Sequence, residues 1–265
     1  MRPNVTKDKL GRGETVFGCL VQHFRSSEVL RVFAAAGFDY AFIDAEHSGF
    51  DLETIQEMIH AAVQSGVTPL VRVGELSYSL QARFLDVGAQ GIILPRVESP
   101  EELRESISWM KFPPCGKRGY GIMAPVLDYK PATFHEVIRY LNENTLTVVQ
   151  FETRTALERC DELLSAPGVD VAMVGPSDLS ISLGVPGEFE HPALVQAVQR
   201  LIESCGRHGV VPGIQCRTSA LAQPWLERGM RFVGIGSEHS LLLEKARETV
   251  AFMRSMCGEY MHPRL

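Results

Sequence analysis

Short stretches of this sequence gather residue types able to do polar chemistry: Asp44-Ala45-Glu46-His47, Arg72, Gln150-Phe151-Glu152 and Gly175-Pro176-Ser177-Asp178. Glu152 and Asp178 offer carboxylate oxygens, the donors that hard divalent ions such as Mg²⁺ and Mn²⁺ prefer. Those ions keep several waters, so two protein ligands suffice. Either carboxylate would serve equally as the cap of a following helix, a common use of Asp. His47 is a candidate general base, zinc ligand or solvated loop histidine. No second histidine stands at metal-ligand spacing, which disfavours zinc, and Asp44 three residues earlier is placed to orient the ring and raise its basicity. Arg72 ends an apolar run, where a buried guanidinium requires an anion, either a protein carboxylate or a ligand's carboxylate or enolate oxygen. Gly175–Asp178 leads into a helix, so its backbone N–H groups and the helix dipole can cradle a carboxylate or phosphate. A plain tight turn explains the glycine as well.

Apolar runs precede these groups. The spacing predicts strands at Val16–Val21, Asp39–Ile43, Pro69–Val73, Gly91–Leu94, Thr147–Phe151, Val171–Val174, Val211–Ile214 and Phe232–Ile235. Most are continuously apolar, as when helices cover one face of a strand and a barrel interior the other. Helical periodicity predicts Ser26–Ala36, Leu52–Gln64, Leu80–Val87, Glu101–Met110, Phe134–Leu141, Thr155–Leu164, Pro192–Arg207, Ala220–Glu227 and Leu242–Met256 between and after them. Eight strand–helix alternations in 265 residues are the count of a single-domain (β/α)₈ TIM barrel, whose chemistry sits where strands run into loops. An open doubly wound sheet is the rival, but no G-x-G-x-x-G follows the first strand. The Gly- and Pro-rich Pro113–Pro131 reads as a long loop over one barrel end.

A net charge of −6 provides no basic face for phosphates, which argues against a nucleic-acid partner, and no apolar run is long enough to span a bilayer. The N-terminal stretch lacks the apolar core of a signal peptide, so cytoplasm is the expected compartment. Cys19, Cys115, Cys160, Cys205, Cys216 and Cys257 form no CxxC pair and read as buried structural thiols. None of the lysines (Lys7, Lys9, Lys111, Lys117, Lys130 and Lys245) falls at a predicted strand end, which disfavours Schiff-base chemistry.

Six segments, in order, resemble the HpcH/HpaI aldolase family of metal-dependent pyruvate aldolases. They are FIDAEHSGFD (Phe42–Asp51), PLVRV (Pro69–Val73), DVGAQGIILPRVES (Asp86–Ser99), FPPCGKRGYG (Phe112–Gly121), VQFET (Val149–Thr153) and VGPSDLSISLG (Val174–Gly184). The resemblance implies a barrel of the phosphoenolpyruvate/pyruvate-superfamily type. It implies Glu152 and Asp178 as ligands of Mg²⁺ or Mn²⁺, with Co²⁺ as an alternative, and pyruvate or its enolate completing the shell. It further implies Arg72 on the enolate oxygen, His47 with Asp44 as the acid/base dyad, and Gln150 near the substrate. The Gly175–Asp178 segment would hold the pyruvate carboxylate through the amides of Ser177 and Asp178. Asp86 would be lent to a neighbouring subunit's site, which implies an oligomer, usually a hexamer built as a trimer of dimers.

The reaction so implied is cleavage of a 4-hydroxy-2-oxo acid to pyruvate and an aldehyde, with homoprotocatechuate-type (aromatic catabolism) products or 2-keto-3-deoxy sugar acids as substrates. Decarboxylation of oxaloacetate on the same site is the second reading, and a non-catalytic 2-oxo acid-binding barrel the third. Two departures from the family pattern bear on the aldehyde half. Ile122–Tyr129 carries no arginine, and Gln215-Cys216-Arg217 is more polar than expected after the seventh strand. Arg217 suits an anion contact or a surface helix cap.

Overall fold

The computed structural model describes residues 1–257. Its strands are β1 (Val16–Val21), β2 (Tyr40–Asp44), β3 (Thr68–Arg72), β4 (Gly91–Leu94), β5 (Leu146–Phe151), β6 (Val171–Val174), β7 (Val211–Cys216) and β8 (Phe232–Ser237). All neighbours pair in parallel, and β8 pairs back to β1, closing the sheet into an eight-stranded barrel. The helices are α1 (Val5–Gly11), α2 (Glu28–Ala36), α3 (Leu52–Ser65), α4 (Tyr78–Asp86), α5 (Pro100–Met110) and α6 (Phe134–Asn144). They continue as α7 (Arg154–Glu158), α8 (Cys160–Leu164), α9 (Pro176–Ser182), α10 (Pro192–His208), α11 (Ser219–Glu227) and α12 (Glu238–Met256).

The expected strands all form, with ends that move by one or two residues. The helix expected over Thr155–Leu164 is two short helices, α7 and α8, meeting at Arg159. The Pro113–Pro131 segment is a loop with one 3₁₀ turn at Ala124–Leu127. It packs against the ends of α4 and α5, where Lys117 N–H donates to Ser108 O and Met123 N–H donates to Asp86 O.

Continuously apolar strands bury both faces. Outward-facing residues such as Ile43, Val71, Ile92 and Val149 pack under the helices. Inward-facing Tyr40, Phe42, Leu70, Ile93, Val148, Met173 and Phe232 fill the barrel, with Tyr40 and Phe232 stacked at 4.2 Å between ring centroids. Gly18 on β1 makes room for the Tyr40 ring, because a Cβ there would fall inside it.

Helix α1 was not anticipated, since it is short and mostly polar. It closes the end of the barrel where the strands begin. Leu10 joins the interior cluster, Lys7 pairs with Asp170 at 3.0 Å, and Lys9 pairs with Asp39 at 2.6 Å. That plug leaves the opposite end, where the strands finish, as the open mouth.

Candidate active site at the C-terminal ends of the strands

The mouth holds a cavity of about 450 Å³. Its lining includes Leu20, Phe42, His47, Arg72, Gln150, Gly175, Ser177, Asp178, Gln215 and His239, contributed by the ends of seven strands, all but β4, or by the segments that follow them.

Arg72 ends β3 in register with Asp44 at the end of β2. Its Nε donates to Asp44 Oδ1 at 2.9 Å and its Nη2 to Asp44 Oδ2 at 2.7 Å, a bidentate pair with the carboxylate fully buried. The anion that Arg72 requires is therefore a protein carboxylate. Burial opposes the arginine's charge, but the Asp44 hydrogen bond and the charges of Asp44, Glu46 and Glu152 outweigh it and hold its pKa above the ordinary value.

The expected Asp44–His47 side-chain dyad is not what forms. Asp44 Oδ1 also accepts the backbone N–H groups of Glu46 at 3.0 Å and His47 at 3.4 Å, so both its oxygens are committed to Arg72 and the turn. Three residues of separation in a tight turn bring the carboxylate to the histidine's amide and leave the ring outside. The imidazole Nε2 instead lies 3.7 Å from Glu46 Oε1, with the ring about half exposed at the cavity wall.

Glu46, to which the sequence reading gave no role, is the hub of this corner. Almost fully buried, it meets Arg72 Nη1 at 3.2 Å and Arg96 Nε at 3.1 Å as well as His47. Its place inside Asp44-Ala45-Glu46-His47 was the available signal.

Glu152, one residue beyond β5, is buried. Its Oε1 accepts the backbone N–H of Arg96 at 2.8 Å, and its Oε2 accepts from Gln150 Nε2. Arg96 holds a φ of 53°, unusual for a residue with a side chain, in the turn that aims that N–H at the carboxylate. Burial raises the Glu152 pKa, the Arg96 N–H works against the rise, and the charge of Asp178 adds to it. Asp178 sits in the first turn of α9, one residue after Ser177, and not at a strand end. Thr153, not Glu152, caps α7, through its side chain and Ala156 N–H at 3.1 Å. The first backbone bond of α9 runs from Leu179 N–H to Gly175 O, so the amides of Ser177 and Asp178 come before it.

These groups fit a divalent cation. Asp44, Glu46, Glu152 and Asp178 gather around Arg72 and Arg96, and that surplus of two negative charges is what such an ion cancels. Gly175 shapes the place. A Cβ there would stand 2.8 Å from Gln150 Nε2 and 3.1 Å from Glu152 Oε2. Gln150 Oε1 is buried without a hydrogen-bond partner beside this spot. Among the described residues no three His, Cys, Asp or Glu side chains form a closed metal cage. Two carboxylates with room for water and substrate suit the Mg²⁺ class rather than structural zinc.

Asp86 lies far from this mouth. It ends α4, on the side of the barrel where the strands start, and accepts from Arg118 Nη2 at 2.6 Å. Of the thiols, Cys19, Cys160, Cys205 and Cys216 are buried as expected, whereas Cys115 and Cys257 are exposed because each follows a helix end on the surface.

Glu238 is a further residue that the sequence reading missed. Buried at the start of α12, it accepts the backbone N–H groups of Gln22, His23 and Phe24 on one oxygen, Gln22 and Phe24 at 2.9 Å. It thereby ties down the loop after β1, whose Gln22 donates to His47 O at 3.3 Å. Its partners are more than 200 positions distant, beyond the reach of any local pattern.

Residues 22–244 match the family model of the HpcH/HpaI aldolase/citrate lyase group. A hydroxypyruvate/pyruvate aldolase of Roseobacter denitrificans is 32% identical over 251 residues, covering 94% of this chain and 96% of that protein. A 2-keto-3-deoxy-L-rhamnonate aldolase of Salmonella gallinarum is 32% identical over 260 residues, covering 96% of this chain and 94% of its own length. The crystal structure of an HpcH/HpaI aldolase from Desulfitobacterium hafniense superposes with a TM-score of 0.88 at 31% identity, over 94% of this chain and 96% of that one.

Proposed function

The chain belongs to the HpcH/HpaI aldolase/citrate lyase family and is a carbon–carbon lyase; we propose that it interconverts a 4-hydroxy-2-oxo acid with pyruvate and an aldehyde. The observation that carries this reading is the pair of carboxylates, Glu152 and Asp178, at a corner with surplus negative charge next to a buried guanidinium. Glu152 and Asp178 would hold Mg²⁺, Mn²⁺ or Co²⁺, which supplies Lewis-acid charge toward the keto oxygen of the bound acid.

The chain's own groups do the rest. The amides of Ser177 and Asp178 receive the substrate carboxylate at the start of α9. Arg72, fixed by Asp44, gives a preorganised positive charge toward the oxygen on which negative charge grows. His47, on the open side of the cavity, takes the proton from the C4 hydroxyl. The C3–C4 bond breaks, its electrons pass toward the C2 carbonyl, and the aldehyde departs. The resulting enolate takes a proton at C3 to become pyruvate. Glu46 positions the imidazole in the role that the sequence suggested for Asp44. Asp86 is proposed to act toward a neighbouring copy in an oligomer, a hexamer being the expected assembly.

Incubation of the protein with Mg²⁺ and 4-hydroxy-2-oxoheptanedioate, with pyruvate release followed by lactate dehydrogenase, tests the assignment. Glu152→Gln and Asp178→Asn are each expected to abolish the metal-dependent rate. Equal activity in either variant refutes the ligand pair. Release of CO₂ from oxaloacetate with no cleavage of any hydroxy-oxo acid would transfer the site to decarboxylation.

A further inference from the structure

A second cavity of about 480 Å³ adjoins the first on the outer side of the ends of β6 and β7. The two share Pro176, Cys216 and Arg217, so the second begins two residues from Asp178. Their walls differ in kind. The catalytic cavity presents Gln150, Ser177, Asp178, Gln215 and His239, whereas the adjoining cleft, between α10 and α11, is lined mainly by apolar side chains, among them Phe189, Leu194, Val195, Ala220, Leu221 and Trp225. Burial pushes the Cys216 thiol up to about 12, so it forms a neutral wall. Arg217, exposed at the junction, makes no ion pair among the described residues, and its guanidinium stands 5.8 Å from the Phe189 ring centroid.

We propose that this cleft is the subsite for the non-reacting tail of the aldehyde, and that it selects aldehydes with an extended apolar chain or ring. The proposal rests on the aldolase reading given above. The mouth cavity holds the 2-oxo acid and the reacting carbonyl, and the cleft is a largely apolar space that borders it across Pro176, Cys216 and Arg217. The stem of Arg217 and the Phe189 face form the threshold; Glu190, Gln196 and Arg228 also line the cleft, and a polar tail that pairs with none of these or with Arg217 loses water that a hydrocarbon does not need. Burial of a methylene is worth about fourfold in binding. With pyruvate and Mg²⁺, kcat/KM for hexanal should therefore exceed that for propanal by about tenfold or more.

Filling the cleft tests it. In Ala220→Phe and Val195→Phe, the ratio of kcat/KM for hexanal to that for propanal is expected to fall about tenfold. A ratio within twofold of the parent in both variants overturns the proposal. If no aldehyde is condensed, the aldolase reading fails and binding alone judges the cleft. Trp225 becomes the sole tryptophan in Trp109→Phe, and its fluorescence should respond saturably to 1-hexanol but not to ethanol at the same concentration. That response should disappear in the Trp109→Phe/Ala220→Phe double variant. No response, or one indifferent to Ala220→Phe, overturns the assignment of the cleft as an apolar subsite.

Discussion

Gly175→Ala is the most direct probe of the proposed metal corner. Gly175 has φ −97° and ψ 89°, a conformation with negative φ that alanine also adopts, so the substitution does not force the backbone. Its effect is one of space. The new Cβ would lie 2.8 Å from Gln150 Nε2, 3.1 Å from Glu152 Oε2 and 3.2 Å from Glu152 Cβ. Carbon needs about 3.5 Å from such atoms, so the amide and the carboxylate must each retreat by roughly half an ångström. Metal–ligand distances tolerate about 0.2 Å, so the displaced carboxylate no longer meets the ion well. The expected loss is about 10- to 100-fold in Mn²⁺ affinity, the range found when ligand placement is disturbed, or roughly 1.4–2.8 kcal/mol. The metal-free protein should melt within a few degrees of the parent, because the displaced atoms belong to side chains. Calorimetric titration with Mn²⁺, beside thermal melts in EDTA, separates the two effects. Parental Mn²⁺ affinity in Gly175→Ala would refute the argument that Glu152 and the space before Gly175 form the binding corner.

Three more outcomes follow from the same corner and from the barrel floor. Arg72→Met leaves the fully buried Asp44 carboxylate without its partner and should cost about 3–5 kcal/mol in urea denaturation, much of it recovered in Arg72→Met/Asp44→Leu. Equal instability of the single and double variants would show that the pair is not what matters. Glu152 has a raised pKa, from burial first and the charge of Asp178 second, so protons compete with the ion as pH falls toward that value. Mn²⁺ affinity should decline on acidification, starting at a higher pH than for an ordinary glutamate, with proton release on binding, and calorimetry in buffers of different ionisation enthalpy reads both. Lys111 donates to Asn142 O at 2.7 Å, and burial pulls its pKa down to about 8 from 10.5. The folded state thus loses this proton before the unfolded chain does, and the lysine's contribution to stability rises between about pH 8 and 10.5 by at most about 3 kcal/mol. Lys111→Met should remove that rise, and an unchanged pH slope counts against it.

The barrel was legible because continuous apolar runs such as Gly91–Leu94 and Val171–Val174 have no solvent-facing side, and eight of them separated by helices can close only one way. Strand ends were legible for the same reason, since the first charged residue after each run marks the rim. Helix α1 was not, because its buried contribution is little more than Thr6 and Leu10, too few to show a period. The break at Arg159 was also invisible: α7 and α8 together read as one helical pattern, and the residue between them is tied by a contact distant in sequence, Arg159 Nη1 donating to Glu98 O at 3.0 Å in the loop after β4.

Within the site, the sequence could name the residue types but not the pairings. Asp44, Glu46 and His47 stand within four positions, and each could face Arg72 or one of the others. The register of β2 against β3 decides it, because it sets Asp44 directly opposite Arg72 and turns the aspartate into the guanidinium's bidentate partner. Only then does Glu46, in the following turn, become the carboxylate left to reach Arg96 and the imidazole. The consequence is chemical. An aspartate locked on a buried arginine has little freedom to tune a histidine, whereas Glu46 is shared among two cations and the ring. Glu46→Gln should therefore lower kcat, by releasing the imidazole and Arg96, without loss of thermal stability comparable to that of Asp44→Asn, which removes the carboxylate paired with Arg72.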